Sequence, residues 1–154
     1  MGAKKKQTHV GLCGWLLVLA SLAAGCTAFA PPLEVAGTWG GELTWAAGDP
    51  FAGFESPLGL RIEQSGTSLT GEIIINGPGS QTISLAIVAG TAASAAFSVD
   101  AAATVDIAGT PVFLTITVDG TRTADTLSGT GSQSIDGVIH PFEWSARLSA
   151  PETP

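Results

Sequence analysis

His140 is the residue best suited to acid–base chemistry, because after residue 26 the chain has one histidine and no lysine, tyrosine or further cysteine. An imidazole acts as a general base when a nucleophile or an orienting carboxylate lies beside it. Glu143 follows at a spacing that, in an alternating strand, puts it on the opposite face. The serines stand in no order typical of a catalytic triad. The sequence therefore predicts a non-catalytic protein, with His140 in the core or at its rim.

Carboxylates are the second group that could do chemistry, as calcium ligands. Calcium takes six to eight oxygen ligands, which a binding loop supplies at dense spacing. The aspartates here are spread over separate predicted turns or bends, so solvated turn residues are expected, with no metal and no cofactor. They are Asp100, Asp106, Asp119, Asp125 and Asp136.

Aromatic side chains are concentrated in a long predicted loop, residues 45–57, which also carries Asp49 and Glu55. Aromatic residues on a loop of this kind often contact a bound ligand or partner. They can equally cap one end of the domain as a lid with no ligand, and both interpretations stay open. The candidate ligand-binding residues are Trp39, Trp45, Phe51, Phe54, His140 and Trp144.

The N-terminus is cationic and then apolar. Lys4, Lys5 and Lys6 precede an apolar run over residues 11–24, which is shorter than the roughly 20 residues of a membrane-spanning helix. The run ends in Ala-Ala-Gly-Cys at residues 23–26, which resembles the lipobox of bacterial lipoproteins, although leucine is commoner than alanine three residues before the cysteine. An ordinary secretory signal and a plain transmembrane anchor are the alternatives.

The lipobox resemblance implies that residues 1–25 are a signal peptide and that Cys26 becomes the diacylglyceryl-modified first residue. Two or more acyl chains anchor a protein stably, at about 0.8 kcal/mol per buried CH₂. The expected location is the bacterial cell envelope. Thr27 replaces the aspartate that retains many lipoproteins at the inner membrane, which favours the outer membrane. Residues 26–34, with two prolines, are expected to be a flexible tether.

Charge and cysteine content limit the partners and the disulfides that the rest of the chain can have. Removal of the signal also removes the three lysines. The remaining chain has three arginines and 13 acidic residues, which give a formal charge of −10. Such a surface repels phosphates, so nucleic acid is not an expected partner. Cys13 lies in the signal and Cys26 takes the lipid, so no disulfide is expected and stability must come from packing.

Apolar and polar residues alternate with period two, as over residues 112–119 and 138–148, and turn pairs such as Asp136-Gly137 separate the runs. This pattern predicts an all-β domain over residues 35–150, a single antiparallel up-and-down β-barrel of about eight strands, with a β-sandwich as the alternative. Residues 151–154 are expected to be a disordered tail. The predicted strands are 36–45, 57–64, 68–76, 81–89, 93–100, 110–119, 125–133 and 138–148.

Two short motifs resemble lipocalins and avidins. Gly37-Thr38-Trp39 is similar to the Gly-x-Trp opening of both families, and residues 69–73 (Leu-Thr-Gly-Glu-Ile) are similar to an avidin stretch. Gly41 and Ile73 stand where avidins have the asparagine and tyrosine that bind biotin, so biotin is not an expected ligand. The resemblance implies that Trp39 plugs one barrel end, beneath the Arg147 guanidinium or as a simple core residue.

The signal and the predicted barrel together are compatible with two alternative functions. The first is a lipid-anchored envelope protein whose lipocalin-like barrel binds a small apolar ligand or an envelope protein. The second is a structural, interaction or inhibitor-type lipoprotein whose solid barrel holds no ligand. Large side chains at inward positions favour the solid barrel, whereas small residues on the fifth and seventh strands, such as Ser98 and Gly131, leave room for a cavity.

Overall fold

A computed structural model describes residues 30–76, 81–107 and 109–149. The predicted lipid attachment at Cys26, the signal over 1–25 and the tail over 151–154 lie outside these residues. Within them the secondary structure is all β, and no helix has the length and apolarity needed to span a bilayer. The strands are β1 (Gly37–Trp45), β2 (Glu55–Ser65), β3 (Ser68–Asn76), β4 (Thr82–Ala92), β5 (Phe97–Ile107), β6 (Thr110–Thr123), β7 (Thr126–Ile135) and β8 (Val138–Leu148).

The strands form a closed barrel in chain order, and every neighbouring pair is antiparallel. β1 also pairs with β8, from Trp39 opposite Leu148 to Trp45 opposite Phe142. This pairing confirms the predicted eight-stranded up-and-down barrel and excludes the sandwich. Because the ring closes, none of the eight described strands has an unpaired edge that would have to be protected from aggregation.

β5 differs most from its prediction, because it covers Phe97–Ile107 instead of residues 93–100. The alanine-rich stretch after residue 100, which lies outside the predicted strands, continues as strand, with Ala101 opposite Ile116 and Ala103 opposite Leu114 on β6. Alanine has a low intrinsic strand preference. Eleven paired residues on β6 nevertheless hold the segment extended, so tertiary pairing decides the conformation here.

The interior is a single cluster of buried apolar side chains at the inward positions of every strand. Trp39, Leu60, Ile73, Leu85 and Val118 are at most 1% exposed. Burial of such a side chain stabilises the fold by about 1.5–3 kcal/mol. The barrel therefore has a packed core.

Glycines on β6 and β7 make room for aromatic rings, so they do not leave a cavity. A Cβ on Gly131 would lie 2.5 Å from the Phe142 ring, and one on Gly120 would lie 2.6 Å from the Trp144 ring. Ser98 lies between the inward residues Phe97 and Val99 and so faces outward. The expectation that small residues leave room inside is wrong for these positions.

One end of the barrel is crossed by the segment before β1, residues Leu33–Val35, which we call the strap. The Leu33 amide donates to the Ala93 carbonyl (2.6 Å), in the β4–β5 connection. The Gln64 side chain, near the end of β2, donates to the Leu33 carbonyl (2.9 Å) and accepts from the Val35 amide (2.8 Å). Val35 is fully buried, and the last two residues of the predicted tether are thus part of the folded unit.

Trp39 and Arg122 complete this strap end. The Trp39 indole donates to the Val35 carbonyl (2.9 Å), and the Arg122 guanidinium lies 5.3 Å from the ring centroid while donating to the Glu34 carbonyl (2.7 Å). The cation over Trp39 is therefore Arg122 and not the expected Arg147. The reason is parity, because Arg122 follows the inward positions of β6 whereas Arg147 points outward from β8.

Candidate functional site

The opposite end of the barrel, which we call the loop end, carries the connection between β1 and β2. Three backbone hydrogen bonds fold this loop: Asp49 to Ala46 (3.1 Å), Ala52 to Asp49 (2.9 Å) and Phe54 to Phe51 (3.0 Å). The Asp49 carboxylate also accepts from the Phe51 amide (2.9 Å). Aspartate commonly bonds backbone amides of its own turn in this way. The loop is therefore a compact structure and not an open flap.

Asp49 and His140 tie the loop to the barrel. Their side chains meet at 3.0 Å between Oδ2 and Nδ1, and they are only 6% and 9% exposed. Burial by itself raises the pKa of Asp49, but hydrogen bonds from Phe51 and His140, together with the His140 charge, hold that pKa below its usual range. Gln133, opposite His140 on β7, is also buried.

Aromatic rings surround His140. The Phe51 ring lies 4.9 Å from the imidazole and 5.3 Å from Trp45, and Phe142 meets Trp45 edge-on at 5.6 Å. Such tilted and edge-to-face pairs are favourable aromatic geometries. Phe51 thus covers this end of the core. Phe54 does not, since it is 67% exposed.

The structure separates the candidate ligand-binding residues into three places. Trp45, Phe51 and His140 meet at the loop end, and Phe54 lies exposed on the same loop. Trp39 is at the strap end. Trp144 is buried in the interior beside Phe97 (6.0 Å), and its indole donates to the Asp119 and Thr130 carbonyls (3.3 and 3.1 Å). These residues do not line one shared cavity.

The Asp49–His140 pair was not found by sequence reasoning, because the two residues are 91 positions apart and no local pattern links them. A general base must reach a proton on its substrate. This histidine is buried beside Phe51 and Trp45, so the pair is suited to fixing the loop. No group of three or more potential metal ligands was found among the described residues.

Exposed apolar side chains are concentrated at the loop end. Of eight large apolar residues exposed in the described part of the chain, Val88 on β4 and Leu148 near the strap end lie elsewhere. The other six lie on the β1–β2 loop and on the hairpins β5–β6 and β7–β8. We call them the apolar rim: Phe51, Phe54, Ile107, Phe113, Val138 and Ile139.

Charges are distributed unevenly along the barrel. The three arginines lie in the strap half, where Arg61 is opposite Thr38, Arg122 is opposite Leu127 and Arg147 is opposite Gly40. The exposed side chains around the apolar rim include carboxylates and no arginine. These carboxylates are Glu55, Asp106, Asp136 and Glu143.

Two open depressions lie on the outer surface of the described barrel. One, of about 580 Å³, is lined by β5–β7 residues such as Ser98, Asp119 and Ser128. The other, of about 550 Å³, is lined by β1–β3 residues including Arg61 and Glu72. Arg61 contacts Glu72 at 2.6 Å, and Ser84 donates to the same carboxylate.

Comparisons of the chain with known protein families, with curated proteins and with solved structures found no match.

Proposed function

We propose that this chain is a lipid-anchored, non-catalytic protein of the bacterial cell envelope, held by Cys26 after removal of residues 1–25, which binds a protein partner through the outside of a solid barrel. The packed interior is the observation that favours a protein partner over a small apolar ligand. Lipocalin-type binding of an apolar molecule requires an enclosed cavity. The inward positions here are occupied by side chains that contact one another.

The anchor would leave the barrel at the strap end. Cys26 precedes Leu33 by seven residues, which span at most about 25 Å when fully extended. The strap end would then face the membrane, with all three arginines in that half. The loop end would lie farther out by the height of the barrel, about 20–25 Å for tilted strands of this length.

The anchor is tested on the full chain produced in a bacterium. The intact mass of the membrane-extracted protein should correspond to a chain beginning at Cys26 with its acyl groups. Cys26→Ser should carry no acyl groups in its intact mass, with Cys13→Ser as the matched control that keeps them. A wild-type Cys26 without acyl groups would contradict lipid anchoring.

The absence of a small ligand is tested on the same preparation by native mass spectrometry. The expected spectrum contains only the acylated protein, and a panel of fatty acids and envelope metabolites should leave the tryptophan fluorescence unchanged. A stoichiometric small molecule that is lost on unfolding would overturn the solid-barrel interpretation. It would favour the small apolar ligand instead.

A further inference from the structure

The residues of the apolar rim lie on connections that adjoin one another at the loop end. The β1–β2 loop adjoins the β7–β8 hairpin, since the Ala46 amide donates to the Pro141 carbonyl (3.0 Å). The β7–β8 hairpin adjoins β6, where Ile135 is opposite Leu114. The three connections that carry the apolar rim are therefore neighbours at the loop end of the barrel. Phe54, Phe113 and Ile139 are each at least 60% exposed.

The part of this surface on the β1–β2 loop is held in place by contacts within the chain. Phe51 is held against His140, and Asp49 fixes the loop through its hydrogen bonds to Phe51 and His140. A surface that is fixed in advance loses less conformational entropy on association. Contiguous exposed apolar side chains bordered by polar residues are typical of interaction sites.

The charges around the rim distinguish between possible occupants. A second copy would bring Glu55, Asp106 and Asp136 against the same carboxylates, and like charges at an interface oppose association. An anionic lipid surface would be repelled for the same reason. A surface that offers lysine or arginine around an apolar hollow complements the rim in both respects.

From this geometry we propose that the apolar rim docks an envelope protein whose own surface presents an apolar hollow bordered by lysine and arginine side chains. The proposal rests on the proposed function, because it names the class of partner. The apolar side chains would supply the buried centre of the interface, and the surrounding carboxylates would select the basic partner and orient it.

The test is photocrosslinking in the bacterium that makes the protein, using the full chain with benzoylphenylalanine in place of Phe54, Phe113 or Ile139. Replacements at Val88 and Leu148 are the matched controls, since they are also exposed apolar residues but lie off the rim. All three rim positions should give an adduct with one and the same protein. The control positions should give none with it.

Charge reversal provides the second arm. Glu55→Lys with Asp136→Lys should lower the yield of that adduct about tenfold, the effect of about 1.4 kcal/mol. Asp119→Lys with Asp125→Lys, in the strap half, should leave the yield unchanged. The crosslinked peptide of the partner should lie among lysines and arginines on that protein's surface.

Each other outcome overturns the proposal: adducts only with lipid, adducts only with a second copy, no adduct, or a partner surface without basic residues. Acylation of Cys26 is measured in the same cells. A non-acylated protein that still gives the rim adduct would refute the anchor and leave the rim intact. An acylated protein that gives no rim adduct would refute the docking proposal and leave the anchor intact.

Discussion

Asp49 and His140 form the contact by which single side chains hold the loop end together. The contact is buried at 3.0 Å and lies between a loop and a strand that are far apart in sequence. Its consequence for stability depends on pH, because the pKa of Asp49 in the folded protein lies below its ordinary value of 3.8. A depressed carboxyl pKa stabilises the fold above the unfolded-state value and ceases to do so as the pH falls through the folded-state value.

Asp49→Asn should therefore be less stable than the wild type at pH 6 and should lose less stability on acidification from pH 5 to pH 2. The measurement is the midpoint of urea unfolding, followed by tryptophan fluorescence. Glu72→Gln is a second test on the outer face: hydrogen bonds from Ser84 and Arg61 likewise hold the pKa of Glu72 below its usual range, so this variant should also lose less stability on acidification. Identical acid sensitivity of Asp49→Asn and the wild type would refute this role.

The close packing of aromatic rings against glycines on β6 and β7 gives a second prediction for single residues. Gly131→Ala places a methyl group against the Phe142 ring and the Thr117 carbonyl, at 2.5 and 2.6 Å, and should cost about 1–3 kcal/mol of unfolding free energy. Gly40→Ala is the control, because its methyl group would be no closer than 3.6 Å to the Ser149 side chain. Equal stabilities for the two variants would show that the core can yield at Gly131.

The strands and turns show which parts of the fold could be predicted from the sequence. Period-two alternation predicted the number of strands and their inward faces, and turn residues such as Asp136-Gly137 predicted the positions of the hairpins. The longer extent of β5 was not predictable, since it depends on pairing with β6 over Ala101–Ile107. The same limit applies to Asp49 with His140, a contact set by closure of the barrel and not by local sequence. The inward position of Arg122, in contrast, follows from the alternation along β6.

The strap gives the prediction at this scale. Gln64→Ala removes the side-chain hydrogen bonds to Leu33, Val35 and Gly66 and should cost about 1–3 kcal/mol. Hydrogen exchange should show faster exchange at the Val35 amide with little change on β6 and β7. Glu63→Ala, on the exposed outer face of β2, is the control. Unchanged protection of Val35 in Gln64→Ala would mean that the strap does not depend on this side chain.

At the scale of the whole molecule, core and rim make separate contributions. Ile139→Ser, at the exposed rim, should change the unfolding free energy by no more than about 0.5 kcal/mol. Ile73→Ala, in the fully buried core, should cost about 2–5 kcal/mol. Urea unfolding of both variants measures the contrast. A large loss for Ile139→Ser would mean that the rim is part of the core and not a free surface.

The ring of strands begins and ends at one place. Leu148 is paired with Trp39, and the Ser149 amide donates to the Thr38 carbonyl (2.8 Å), so the two ends of the barrel sequence meet at the strap end. A linker from residue 149 to the strap, with new termini at the exposed turn Asp136-Gly137, would give a circular permutant with the same neighbouring strand pairs. Under the proposed lipid anchoring, an anchor attached at that turn would place the apolar rim on the side of the bilayer. The proposed orientation of the barrel therefore depends on which connection in the ring of strands is left open.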